Sequence, residues 1–423
     1  MKYDVVIIGA GSAGLMAMKE LLEAGYHVCL IEASSSAGGR IATVKEKGFH
    51  MPLETGAEFV HGRLPLTIRM LKQANIDYEA VKGKMIRVSN GKWNQEEEEQ
   101  STHWDDLMRK LRKQKKDSTI REFLDEHFSE VKYKDLRKSV QGFVEGFDLA
   151  DTGKASVLAL RKEWAQADQT QYRIPGGYSQ LTDWLLSNCF ALEGKIYFNC
   201  FANTVEYNND NVTVTTSNNK KFEAARLIIT ASIGVLQSGM IEFKPGSGAH
   251  LEAIRQIGFG SVIKMQLLFK TPFWKEKAND IGFLITDEFI PTWWTQLPVE
   301  NNLLTGWLGG PKAAALKASN NDSTLLRSAL LSLSSVFRLH QAVLTKELAH
   351  YKISAWHNYP FILGGYSYST LFSEKAVEIL SEPIAETIFF AGEAIYSGES
   401  QGTVEAALQS GLETAKKIRK MKL

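Results

Sequence analysis

The feature that most constrains this 423-residue chain lies at its start. Val5, Val6, Ile7 and Ile8 form an unbroken apolar run, the pattern of a parallel strand buried on both faces. Gly9, Gly11 and Gly14 follow at G-x-G-x-x-G spacing, with Ser12 and Ala13 between them. Leu15 to Ala24 reads as a helix ended by Gly25, and His27 to Ile31 reads as a second strand with Glu32 at its end. A βαβ unit with this spacing binds a dinucleotide for physical reasons. Gly9 permits the tight turn, Gly11 lets backbone approach a pyrophosphate, and Gly14 lets the helix pack close to the strand. The helix N-terminus presents N–H groups and partial positive charge to the phosphates. Glu32 can accept hydrogen bonds from ribose hydroxyls and repels a 2′-phosphate, which disfavours NADP. Gly38, Gly39 and Arg40 come next, and the arginine fork suits phosphate.

The rest of the chain alternates in texture. Residues from about 78 to 186 are charged and helically periodic, as in Trp104, Leu107, Met108 and Leu111, then Ile120, Phe123, Leu124 and Phe128. Strands return at Ile196 to Phe198, Val212 to Thr216 and Arg226 to Thr230, with asparagine-rich turns. Val262 to Phe269, Gly282 to Thr286 and Leu303 to Leu308 read as strands, and Leu325 to Phe337 and Gln341 to Leu348 as helices. A last apolar strand, Ile388 to Ala391, precedes a helix from Thr403 to Lys417. The expected fold is α/β: a Rossmann-like doubly wound parallel sheet from residues 1–77, 187–258 and 383–423, interleaved with an α+β substrate domain from 78–186 and 259–382.

Composition excludes several classes. A net charge of +1 gives no reason to expect nucleic acid or an anionic membrane. The basic run Lys110 to Lys116 follows an acidic one, Glu96 to Glu99, and reads as a solvated helical face. Three cysteines, Cys29, Cys189 and Cys200, show no C-x-x-C or Cys/His ligand spacing, so neither a disulfide framework nor a metal site is expected. No apolar stretch approaches the roughly 20 residues that span a bilayer. The chain opens almost at once on a strand and its C-terminal residues are basic, so neither a secretory signal nor a membrane anchor is expected, and the expected compartment is cytoplasmic. Oligomeric state is not legible.

Further motifs, in order, resemble the flavin amine oxidase superfamily of monoamine oxidases, polyamine oxidases and flavin-dependent lysine demethylases. They run from Gly9 to Gly14, Glu32 and Gly38-Gly39-Arg40 through Leu53-Glu54-Thr55-Gly56-Ala57-Glu58-Phe59-Val60-His61-Gly62. Ile229 to Leu236 and Ile257 to Lys264 look like the polyamine oxidase branch. Trp356, Gly364-Gly365-Tyr366-Ser367, Phe389-Phe390-Ala391-Gly392-Glu393 and Gly402-Thr403-Val404-Glu405-Ala406-Ala407 complete the series. The resemblance implies FAD, held by Gly9, Gly11, Ser12, Ala13, Gly14, Glu32, Ala33, Gly39, Arg40, Gly56, Ala57, Glu58, Thr204, Val205, Trp356, Gly392, Glu393, Gly402, Thr403 and Val404. It implies a catalytic role for Lys264, the lysine that holds a water near flavin N5, on a strand otherwise apolar. Tyr366 follows Gly364-Gly365 and no cysteine is near, which implies non-covalent flavin.

On the substrate side, Thr403 stands where monoamine oxidases place a second aromatic ring. The threonine is similar to that of the demethylase branch, whose long helical insertion is missing. His61 matches a histidine of some polyamine oxidases, and Phe361 or Tyr359 could supply one aromatic wall near Trp356. Tyr172, Trp293, Trp294 and Trp307 either line a cavity or belong to the core. The implied reaction is hydride loss from the carbon of a neutral amine to flavin N5. Hydrolysis of the imine gives an aldehyde or keto product, and O2 reoxidises the flavin to yield H2O2. Three alternatives stay open: a flavin dehydrogenase or desaturase using another acceptor, an NAD-dependent dehydrogenase, and a flavin-bearing protein without turnover.

Overall fold

The computed structural model describes residues 2–62, 64–89, 91–95, 103–165, 170–316, 321–398 and 400–421. The opening apolar run forms the centre of an eight-stranded sheet. Strand Lys2–Ile8 lies between Val28–Ile31 and Lys221–Ile229, parallel to both. Lys195–Tyr197 continues the sheet on one side, and Ile388–Phe390 pairs parallel with Lys221–Ile229. Beyond that point the sheet changes sense. Val212–Thr216 and Ala202–Tyr207 run as an antiparallel meander, because turns of only a few residues connect them.

Burial on both faces follows the period of two. Val5 and Ile7 join a core with Leu15, Leu181 and Leu408, from helices Ser12–Glu23, Ser179–Ala191 and Val404–Lys420. Val6 and Ile8 face the opposite core, with Val205, Phe222 and residues of helices Gly248–Gln256 and Ser373–Ser381. Two helices near the expected domain limits pack as follows. Residue 187 falls inside helix Ser179–Ala191, which packs on Ser12–Glu23. Helix Ser373–Ser381, inside the expected 259–382 segment, packs on Gly248–Gln256 of the nucleotide segment.

A second, seven-stranded sheet has Val262–Phe269 between Leu303–Gly309 and Leu348–Ala355. It runs on through Thr292–Trp294 and Ile281–Thr286 to Lys84–Ser89 and Lys92–Gln95, inside a stretch whose sequence reads as helical. All eight residues of Val262–Phe269 are buried, and its two faces differ. Ile263, Met265, Leu267 and Phe269 pack with Leu325, Leu333 and Phe337 of helix Asp322–Phe337. Lys264, Gln266 and Leu268 look the other way, onto residues 53–58: Gln266 donates to the Glu54 carbonyl at 2.7 Å and Leu268 packs on Leu53.

Helices Trp104–Lys113, Ile120–His127, Lys134–Gly146 and Val157–Ala165 share a separate core. In the first, Leu107 and Leu111 are buried while Lys110, Arg112 and Lys113 are exposed, so the described part of the basic run is a solvated face. The acidic run Glu96 to Glu99 lies outside the described residues. No helix among the described residues is long and apolar enough to cross a membrane.

Candidate active site

One cavity of about 3560 Å³ runs between the two sheets and along the helical insert. Ligand pockets commonly measure ~300–1,000 Å³, so this one has room for a dinucleotide and a second molecule. At its nucleotide end, Gly9 adopts φ +104°, and a Cβ on Gly14 would lie 2.0 Å from the Gly9 carbonyl oxygen. Gly9, Gly11, Ser12 and Ala13 line the cavity, whereas Gly14 acts as the packing point behind them. Helix Ser12–Glu23 begins at Gly11 with no side-chain cap, so its first N–H groups lack the acceptor that a capping residue would provide. A Cβ on Gly11 or on Gly392 would meet no atom within 4 Å. An uncapped helix start facing open space fits a pyrophosphate.

Glu32 is buried at the cavity wall and accepts hydrogen bonds from the N–H groups of Ala10 and Ser34, both at 2.7 Å. Arg40 is tied into the fold. Its Nη1 donates to Glu393 Oε1 at 2.6 Å and to the Gly365 carbonyl at 2.9 Å, which fixes the remaining guanidinium donors at the cavity. Glu393 in turn accepts from the Ser367 hydroxyl at 2.5 Å. At the far end Thr403 caps the last helix, taking the Ala406 N–H on its hydroxyl. Glu405 of the same helix accepts from the Leu66 and Thr67 N–H groups, which fixes where the helix starts. Gly39, Gly402, Thr403 and Val404 line this wall with Gly392 and Glu393.

Between these ends lies the loop after strand Leu53–Glu54. Trp356 donates from Nε1 to the Thr55 carbonyl at 2.7 Å and stacks on Tyr359 at 4.6 Å. Gly56, Ala57 and Glu58 line the cavity beside it. Lys264 is 1% exposed, and its Nζ donates to Glu58 Oε2 at 2.6 Å and to the Gly56 carbonyl at 3.1 Å. The other oxygen of Glu58 accepts from Arg173 Nε at 3.1 Å and Trp294 Nε1 at 3.0 Å. Burial alone would push the Glu58 carboxyl up. The charges of Lys264 and Arg173, with the hydrogen bonds of Lys264 and Trp294, outweigh it and hold the group below the usual carboxylate range.

On the substrate side, His61 ends strand Phe59–His61 and meets Phe147 edge-on at 5.8 Å. Burial pushes its imidazole down to about 4, so it is neutral near neutrality. Tyr366 donates from its hydroxyl to the Phe147 carbonyl, and burial raises it well above the usual phenol range. Trp294 and Trp307 line the cavity, while Trp293 is core.

A model of the flavin-containing amine oxidoreductases matches residues 12–419. The chain belongs to that family. The family carries flavin, and a cavity with a dinucleotide fingerprint at one end fits its dinucleotide form, FAD. Mouse lysine-specific histone demethylase 1B is 26% identical over 442 residues, covering 98% of this chain and 52% of that protein. Arabidopsis thaliana Protein FLOWERING LOCUS D is 27% identical, covering 98% of this chain and 55% of its own length. The chain thus spans about half the length of the curated relatives it matches. A putrescine oxidase bound to putrescine superposes with a TM-score of 0.84 at 21% identity over 100% of both chains. Cyclohexylamine oxidase from Brevibacterium oxydans gives 0.80 at 18%, covering 99% of this chain and 100% of that one.

Four of the residues expected at the site lie as follows in the structure. Thr204 and Val205 do not line the cavity: they sit mid-strand in Ala202–Tyr207, and Val205 points into the core with Val214 and Phe222. Ala33 does not line it either. Phe361 lines it at the adenosine end. It stacks on Phe201 at 5.3 Å, next to Cys200, whose N–H bonds the Glu32 carbonyl. None of the three cysteines lines the cavity. Sequence reasoning missed Arg173 and the acids Asp148 and Glu163, all close to the cavity. The available signal was a lone Asp148 in the run Phe147-Asp148-Leu149-Ala150.

Proposed function

We propose that this chain oxidises an amine at the carbon beside nitrogen and uses O2 as its final acceptor. FAD, when bound, supplies the acceptor for a hydride from that carbon. The overall balance is amine plus O2 plus water giving aldehyde or ketone, ammonia or a smaller amine, and H2O2. The chain's own residues hold and orient. Arg40 and the uncapped start of helix Ser12–Glu23 take the pyrophosphate, and Glu32 takes the adenosine ribose. The start of helix Val404–Lys420 presents N–H groups where negative charge collects on reduction. Lys264 holds a water beside the ring, and His61, Tyr366 and Thr403 border the amine's place. The similar folds of a putrescine oxidase and a cyclohexylamine oxidase support an amine substrate.

The observation that carries this reading is Lys264. A buried lysine in a strand with no other charged residue is costly unless paired, and Glu58 and the Gly56 carbonyl hold it at the cavity wall. The test is peroxide release by the yellow protein across a panel of amines and amino acids. Peroxide is expected with amines, rising with pH to a plateau as the substrate nitrogen loses its proton. Amine oxidation that proceeds with an artificial electron acceptor but never with O2 would remove the oxidase half of the proposal.

A further inference from the structure

The wall of the cavity opposite the flavin loop carries two acids that the reading above does not use. Asp148 follows helix Lys134–Gly146, and Glu163 lies on helix Val157–Ala165. Asp148 is 7% exposed and lines the cavity, and its Oδ2 has no hydrogen-bond partner in the protein. Its neighbour is a second carboxyl, Glu163, which also lines the cavity. Among the described residues no lysine, arginine or histidine forms an ion pair with either acid. Burial, then the Glu163 charge and hydrogen bond, push the Asp148 carboxyl well up, and burial raises Glu163 as well. A shared proton relieves such a pair at rest, since a buried carboxylate resists ionising beside a second one. A metal ion is not indicated: no group of three or more metal-ligating side chains occurs among the described residues.

The surroundings suit an aliphatic cation. Phe143 stacks on Phe147 at 5.0 Å, and Trp164 meets Phe143 edge-on at 5.7 Å. All three line the cavity, and Phe143 and Phe147 are 39% and 44% exposed. Tyr366 bridges this wall to the flavin side. Its hydroxyl bonds the Phe147 carbonyl, and its ring lies against Gly402, one residue before the helix cap Thr403.

We propose that Asp148 and Glu163 form a subsite for a second ammonium group, so that diamines and longer polyamines, rather than monoamines, are the preferred substrates. The inference rests on the amine-oxidising reading. The distal ammonium supplies the counter-charge that the protein omits, the aromatic faces cover the methylenes and add cation–π attraction, and the proximal amine lies at the flavin.

The test compares kcat/KM for putrescine and butylamine, which share a chain length and differ by one amine. The wild-type enzyme is expected to favour putrescine. Asp148→Asn and Glu163→Gln keep shape and remove charge, and each should lower the putrescine-to-butylamine ratio about tenfold or more, as expected for losing a hydrogen bond to a charged group. Flavin absorption and the melting temperature check that each variant is folded. If Asp148→Asn fails to fold, Glu163→Gln decides alone. A wild-type ratio at or below one, or a ratio unchanged in the folded variants, would overturn the subsite while leaving amine oxidation standing. Failure of every amine to reduce the flavin would instead overturn the reading on which it rests.

Discussion

Glu58 and Asp148 are both buried carboxyls on the wall of one cavity, and they are handled in opposite ways. Glu58 is saturated: Lys264, Arg173 and the Trp294 indole each donate to it. Asp148 is left facing another acid, with one oxygen lacking any partner. A buried acid that the protein has fully paired is a fixed part of the scaffold. One that it has left unpaired costs stability in the free protein and is retained for what enters the cavity. The cofactor side is thus built to stay as it is, and the substrate side is built to respond.

The sharpest way to break this comparison is to neutralise each acid in turn. Glu58→Gln leaves Lys264 and Arg173 buried beside a neutral amide, and should cost about 3–5 kcal/mol of stability, read by urea or thermal unfolding. Asp148→Asn removes an acid that has no counter-charge and should be neutral or stabilising at neutral pH. Equal losses from the two variants would erase the distinction.

The next largest effect concerns Lys264. Lys264→Met keeps the volume of the side chain and leaves Glu58 paired with Arg173. Flavin should still bind, while reaction of the reduced enzyme with O2 should slow by about a hundredfold, the scale of a lost proton-handling group. Rapid mixing of reduced protein with oxygenated buffer reads it directly, and an unaltered rate would demote the lysine to a structural part.

His61 tests the substrate side more gently. Its imidazole takes a proton near 6.5 in the unfolded chain but only at about 4 in the fold. Between those values the unfolded state binds more protons, so stability contributed by neutral His61 is lost as pH falls from about 6.5 to about 4. His61→Gln should flatten that part of a melting temperature–pH profile, and an unchanged slope would place the imidazole in water. The smallest effect is expected at Thr204, which lies off the cavity. Thr204→Ala should leave flavin affinity unaltered and shift stability by under about 0.5 kcal/mol, measured by flavin titration and unfolding.

How far the sequence reached differs between these regions. The fingerprint Gly9 to Glu32 and the strand Val262–Phe269 were legible because their constraints are local: an apolar run, a turn that only glycine permits, one lysine out of place. Strands Lys84–Ser89 and Lys92–Gln95 were not, because their alternation is broken by Lys84 and Met85, both exposed, and the Asn90-Gly91 pair between them was the one cue. The inward facing of Val205 was not legible because a strand's facing cannot be read without its register, and a slip of one residue turns every side chain over. Asp148 and Glu163 lie on separate helices, so their meeting is a property of tertiary packing that no spacing announces. The saturated acid was found through its motif, and the unsaturated one only through the fold.

The account stands most directly on what happens when the oxidised holoprotein meets an amine in the absence of oxygen. Anaerobic addition of putrescine should bleach the flavin absorption in a single turnover, with one equivalent of aldehyde formed per flavin and the colour restored on admitting air. A flavin that stays oxidised with putrescine, butylamine and the wider amine panel alike would contradict it.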